Sequence, residues 1–207
     1  MPYESYINLT DKFIDSLREY IKKRQIPLEE VVEVFAGNGK LGLQLGLKKN
    51  NNISDLLLFT TDDFADEVNS NWERNPQGVV KESAYETIMR FYNSGQKISM
   101  LIIGAPPPAN SYYCPSYKTI KALYDRFDAE ILYIGEMNSP VFASPKFFRH
   151  LKAVPKNIEK SFKSLVESNY DNRNGYFSSD LFYENVDVRP HLLKFVPCSS
   201  ENCDCSK

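Results

Sequence analysis

The chain has 207 residues, one domain's worth of sequence. Lys and Arg total 25 against 27 Asp and Glu, a net charge of −2, which excludes a strongly basic nucleic-acid coat but not a local basic groove. With 42% hydrophobic residues the chain can bury a sizeable core without staples, so its 4 Cys are expected to be reduced thiols of an intracellular, cytoplasmic protein.

The first residues, MPYESYINLT, lack a basic stretch followed by an apolar one, so no secretory leader is expected. Residues 11–25 are predicted helical, because Phe13, Ile14, Leu17, Tyr20 and Ile21 recur on one face and Pro27 stops continuation. Residues 30–35 read as a Val-rich strand, 40–47 as a helix after a glycine turn, and 56–60 as a second strand ending in Thr61-Asp62-Asp63. A helix over 64–72, a short strand over 79–81 and a helix over 85–93 follow. Residues 99–103 are apolar after the first, as in a central strand, and lead into a Pro-rich loop over 104–115. A helix over 117–127, a strand over 130–134 and short helices over 145–151 and 158–166 come next, then two closing strands over 181–186 and 192–196. No apolar run is long enough to cross a bilayer, and no membrane partner is expected.

Strands alternate with helices as far as residue 151, which predicts an α/β fold, a mostly parallel sheet with helices on both faces. The closing pair predicts an antiparallel edge hairpin. Residues 1–197 read as one domain and 198–207 as a loose tail carrying Cys198, Cys203 and Cys205, whose spacing is wider than paired zinc ligands show, so no metal is expected.

The segment Val32-Glu33-Val34-Phe35-Ala36-Gly37-Asn38-Gly39-Lys40-Leu41-Gly42 spells G-x-G-x-x-G between a strand and a helix, and Asp62 and Asp63 stand about 20 residues further on. Glycines admit positive φ and leave room for a ligand on the backbone. Amides at the helix start attract electron-rich groups, and an acid after the second strand can accept both ribose hydroxyls. Two cofactor classes use this geometry, and Glu33 separates them. It stands where an acid would answer the positively charged amino-acid portion of S-adenosylmethionine, whereas nicotinamide enzymes keep that strand apolar.

The same string resembles motif I of class I S-adenosylmethionine-dependent methyltransferases. It is similar to the Asp-Leu-Phe-Ala-Gly-Thr-Gly-x-Leu-Gly variant of enzymes that methylate amino groups, such as those of ribosomal RNA guanine, with Glu33 in place of Asp. The resemblance implies a Rossmann-like sheet of seven strands. It implies S-adenosylmethionine held by Glu33, Phe35, Ala36, Gly37, Asn38, Gly39 and Asp62, with Asp63 as the fallback ribose ligand and Ser83 and Ala84 beside the adenine.

Gly104-Ala105-Pro106-Pro107-Pro108 follows the fourth predicted strand, where ligands of open α/β sheets bind. Methyltransferases of amino groups read (Asp/Asn/Ser)-Pro-Pro-(Tyr/Phe/Trp) there, the prolines aiming a carbonyl at the target amine. By that resemblance Gly104 and Ala105 touch the cofactor, and Pro106 and Pro107 face the reacting centre. Ala105 has no hydrogen-bonding side chain and Pro108 no aromatic face, although Tyr112 and Tyr113 lie close by. Residues 101–108, 117–123, the string Ile131-Leu132-Tyr133-Ile134-Gly135-Glu136 and Phe147-Phe148-x-x-Leu151 also resemble a group of methyltransferase-like proteins of large DNA viruses, bacteria and eukaryotes with no defined substrate. Glu136, just past the fifth strand, is a candidate to bind or deprotonate a substrate.

Three functions fit. The first is methyl transfer to an unidentified acceptor, RNA or DNA amino groups being one option through a degenerate proline motif. The second is a binding or regulatory protein that keeps the cofactor site without catalysis. The third is a nicotinamide-dependent oxidoreductase, disfavoured by Glu33 and by the lack of a Tyr-x-x-x-Lys pair. The near-neutral charge favours a small-molecule or protein acceptor over nucleic acid. Tyr112, Tyr113 and Tyr117 beside Lys118 and Lys121 form the one basic and aromatic cluster near the site, suited to stacking a base or to packing a helix start on the sheet.

Overall fold

In a computed structural model the described residues are 7–47, 59–63, 79–104, 106, 114–140, 142–171 and 187–197. Seven strands form one sheet: β1 (Val31–Val34), β2 (Thr60–Asp62), β3 (Val80–Lys81), β4 (Met100–Gly104), β5 (Glu130–Gly135), β6 (Leu151–Ala153) and β7 (Arg189–Phe195), in the order β3-β2-β1-β4-β5-β7-β6. The run β3-β2-β1-β4-β5 is wholly parallel and is the order of a doubly wound Rossmann-like sheet. β7 runs antiparallel to both β5 and β6.

Among the described residues six α-helices accompany the sheet: α1 (Asp11–Lys23), α2 (Lys40–Leu45), α3 (Ala84–Asn93), α4 (Pro115–Tyr124), α5 (Pro145–Arg149) and α6 (Lys156–Leu165). Crossovers between parallel strands are right-handed, so α2, leading from β1 to β2, and α4, leading from β4 to β5 in the opposite direction, cover opposite faces. α1 packs against α2 and α6, while α3 packs against α4, and α4 against α5. With both faces covered, β1, β4 and β5 are buried at every position, which is why they read as continuous apolar runs.

α1 owes its placement to the stripe Phe13, Ile14, Leu17, Tyr20 and Ile21, all buried. Thr10 Oγ1 accepts from Phe13 N at 3.2 Å and caps its start. The helix stops at Lys23 rather than at residue 25, because Gln25 turns left-handed at φ 55° and Ile26 N closes back on Ile21 O. α4 starts at Pro115, earlier than expected, with Cys114 Sγ accepting from Tyr117 N.

Antiparallel pairing lies at one end of the sheet, as expected, but not as a hairpin. The edge strand is β6, supplied directly after α5, and β7 inserts between it and β5. The expected strand over 181–186, the helix over 64–72 and the tail from 198 lie outside the described residues. No helix among the described residues is long and apolar enough to cross a membrane.

Candidate cofactor site

Register aligns the carboxyl ends of the parallel strands. Val34 of β1 sits beside Thr61 of β2 and Ile103 of β4, Asp62 beside Lys81 of β3, and Gly104 beside Ile134 of β5. The glycine loop, Asp62, Ser83, Gly104 and Glu136 therefore all emerge along this one edge, the binding edge of open parallel sheets.

The loop after β1 is tightly wound. Phe35 turns left-handed at φ 55° and is followed by Gly37 at φ 55° and Gly39 at φ 70°. Phe35 is an aromatic residue in a region that L side chains rarely adopt, a strain of the kind concentrated at functional loops. Its ring packs against the core, which offsets that strain. Ala36 N donates to Thr61 O at 3.1 Å, Gly39 N to Ala36 O at 2.9 Å and Lys40 N to Asn38 Oδ1 at 3.2 Å.

Asp62 meets this loop directly. Gly37 N donates to its Oδ2 at 2.7 Å, fixing the acid that ends β2 against the first glycine. A carboxylate has about four lone-pair sites and accepts several hydrogen bonds at once. Asp63 follows it, half-buried, past the strand end. Behind Asp62, Thr61 Oγ1 lies 2.8 Å from Thr87 Oγ1, Thr87 donates to Glu82 Oε2 at 2.9 Å, and Arg90 grips the same carboxylate through Nε and Nη2 at 3.0 Å each. This chain of bonds sets α3 against β2 and steadies the site.

Glu33 lies beneath the loop rather than on its open side. It is 2% exposed and turned beneath the loop toward α2, where Oε2 accepts from Gly42 N at 2.9 Å and Thr60 supplies a second hydrogen bond. Burial pushes its carboxyl up from an ordinary 4.5 to about 8, against the lowering effect of Gly42 and Thr60. An acid in that state is neutral at pH 7, and its visible work is to pin α2 to β1. The third glycine follows from this: a Cβ at Gly42 would overlap Thr60 Oγ1 and come within 2.5 Å of Glu33 Oε2. A Cβ at Gly39 would overlap Val79. These two glycines answer packing as well as any ligand.

Ser83 caps α3 in a reciprocal box: its Oγ accepts from Glu86 N at 3.3 Å, and Glu86 Oε2 accepts from Ser83 N at 3.0 Å. Ala84 is buried at the first turn. Gly104 and Pro106 are both buried, and a Cβ at Gly104 would come 2.6 Å from Ile7 Cδ1. Ala105, Pro107, Tyr112 and Tyr113 lie outside the described residues. Glu136 is half-buried at the end of β5, its Oε1 accepting from Asp187 N at 3.4 Å where the chain approaches β7. Three strand spacings separate Asp62 from Glu136, roughly 14 Å, so the sheet brings Asp62 to the glycine loop but holds Glu136 well to its side.

Sequence reasoning missed the strap that crosses this edge. Ile7 rests on Gly104, Asn8 N donates to Tyr170 Oη at 3.0 Å, and Asn8 Nδ2 donates to Asp171 O at 2.9 Å. No periodic pattern marks residues 7–10, so only the fold reveals them. Nor did the sequence single out a cavity of about 350 Å³ beside the start of β7, lined by Lys163, Glu167, Ser168, Tyr170, Arg189 and Pro190. Compared with models of known protein families and with curated proteins, the chain matches none.

Proposed function

We propose that the chain binds S-adenosylmethionine at the carboxyl edge of β1 and β2 and acts as a methyltransferase-like protein. The observation that carries this is the contact of Asp62 Oδ2 with Gly37 N at 2.7 Å, which joins the second acid of the motif to its glycine loop. The motif I string, the parallel order through β1 and β4 and the Pro-Pro segment at the end of β4 support it further. The donor set suits a nucleoside: Asp62 accepts ribose hydroxyls, and the left-handed loop brings backbone close to what lies upon it.

Bound there, S-adenosylmethionine supplies a methyl group on a positively charged sulfur. The chain's own contribution is position. Asp62 orients the sugar, the loop sets its depth, and Gly104 closes the β4 side beneath Ile7. Such positioning converts a meeting of two molecules into a step within one complex. Glu33 is held beneath the loop by Gly42 and Thr60, where burial favours its protonated carboxyl.

Thermal denaturation with S-adenosylmethionine, S-adenosylhomocysteine and NAD tests this reading. A ligand at about 100 times its Kd adds about 2.7 kcal/mol of stability. For a chain of this size that is a rise of roughly 5–10 °C. The two sulfur ligands are expected to give it and NAD is not; a rise with NAD alone would move the site to the oxidoreductase class. The departures at Ala105 and Pro108 favour a second reading, cofactor binding without transfer. Binding with no methyl transfer to any acceptor offered would select it.

A further inference from the structure

The even net charge conceals an uneven surface. α4 buries Ser116, Thr119, Ile120, Ala122 and Leu123, leaving Lys118, Lys121, Tyr124 and Asp125 exposed and Tyr117 half-buried. At 100° per residue those five fall within an arc of about 120°, a single stripe along the helix. Neighbouring elements widen it with the same two residue types. Lys118 Nζ lies 3.9 Å from the Tyr85 ring of α3, and Lys146 Nζ of α5 lies 4.6 Å from the Tyr117 ring. Arg126 sits 5.4 Å from the Tyr92 ring, and Tyr124 packs at 4.8 Å on Phe195 of β7. Tyr92 and Tyr124 remain 53% and 47% exposed, so ring surface is open beside the cations.

Among the described residues, Glu86 stands near Lys118 and Asp125 near Lys121. Glu86 is engaged by the Ser83 cap, and Asp125 pairs with Lys121 at 2.8 Å. The face is thus locally basic on a chain whose total is −2. Its upper end begins at Cys114, directly after the Pro-rich loop, and so abuts the carboxyl edge that carries the candidate site.

We infer that this face binds single-stranded nucleic acid. Cations beside the exposed rings of Tyr92 and Tyr124 offer both phosphate contacts and stacking surface, the two things that a single strand needs. An acidic protein segment would use the cations and leave the rings without a partner of their own kind. A duplex presents its bases only as edges within grooves, which flat rings cannot stack upon. The binding surface stands without the cofactor; naming the strand as methyl acceptor rests on the methyl-transfer reading.

Fluorescence anisotropy with labelled oligouridine and oligothymidine of roughly 12 nucleotides tests this on the full chain. Binding is expected to weaken from about 50 to about 200 mM salt, with a log–log slope between about −2 and −3 for three to four phosphate contacts. The double substitution Lys118→Glu with Lys121→Glu should abolish most binding and flatten that slope. Tyr124→Ala should cost about 5- to 100-fold in Kd, and Tyr124→Phe, which keeps the ring face, should cost little. Circular dichroism melts verify that each variant is folded. No binding at the lower salt would overturn the inference, as would undiminished binding by the folded charge-reversal variant. Equal displacement by polyglutamate would also overturn it and assign the face to acidic protein. Strand binding without any shift by S-adenosylhomocysteine would leave this surface standing and remove the methyl-transfer reading.

Discussion

Gln matches Glu33 in shape and cannot ionise, so Glu33→Gln isolates the consequence of burying an acid beneath the glycine loop. The folded carboxyl titrates at about 8 and the free one at 4.5. Between those values the folded chain holds a proton that the unfolded chain has released, so stability falls as pH rises. The contribution is complete below about pH 4.5 and is lost by about pH 8, a difference of roughly 5 kcal/mol at 1.36 kcal/mol per pH unit. Gln keeps an acceptor for Gly42 N and cannot ionise. The variant is therefore expected to melt within a few degrees of the parent near pH 5 and on the order of 10 °C above it near pH 8.5. Thermal melts of both proteins across that range, read as a difference, cancel every other titrating group. Parallel profiles, with the same gap at both ends, would show Glu33 ionised in the fold and would refute the inward, neutral placement.

Three further outcomes follow from the same geometry. Gly42→Ala drives a Cβ into Thr60 and Glu33 and is expected to cost about 1–3 kcal/mol in urea melts. Tyr170→Phe removes the acceptor of Asn8 N and should cost about 1 kcal/mol, with faster proteolysis near the start of the chain. Arg24→Ala leaves Glu130, whose side chain is 7% exposed, without the partner that meets it at 2.6 Å, a loss of about 3–5 kcal/mol that Glu130→Gln in the same chain should partly restore.

The parts of the fold legible in the sequence are those whose pattern is also their physics. β1, β4 and β5 are covered on both faces and so are apolar throughout, and α1 carries its stripe at helical spacing. β6 has three residues and follows a five-residue helix, too little chain for any period to emerge. β7 opens on Arg189-Pro190-His191, so its apolar run understates its length and hides its pairing with Gly135, Ile134 and Tyr133. At the candidate site, spacing placed Asp62 at the end of the second strand, and its bond to Gly37 N became visible only in the fold. The direction of Glu33 was not legible: every residue of β1 is buried, and sequence cannot say whether an acid there points to a ligand or to the helix behind it. The strap over Gly104 depends on residues more than 160 positions apart, Asn8 and Tyr170, which no local pattern joins.

We propose above all that Asp62 and the Gly37 loop hold an S-adenosyl nucleoside. Isothermal titration of S-adenosylhomocysteine into the parent chain and into a folded Asp62→Ala variant tests it most directly. Saturable one-site binding by the parent, weakened at least about tenfold in the variant through loss of charge-assisted hydrogen bonds to ribose, is the predicted result. No heat of binding with the folded parent, or equal affinity in both proteins, would contradict it.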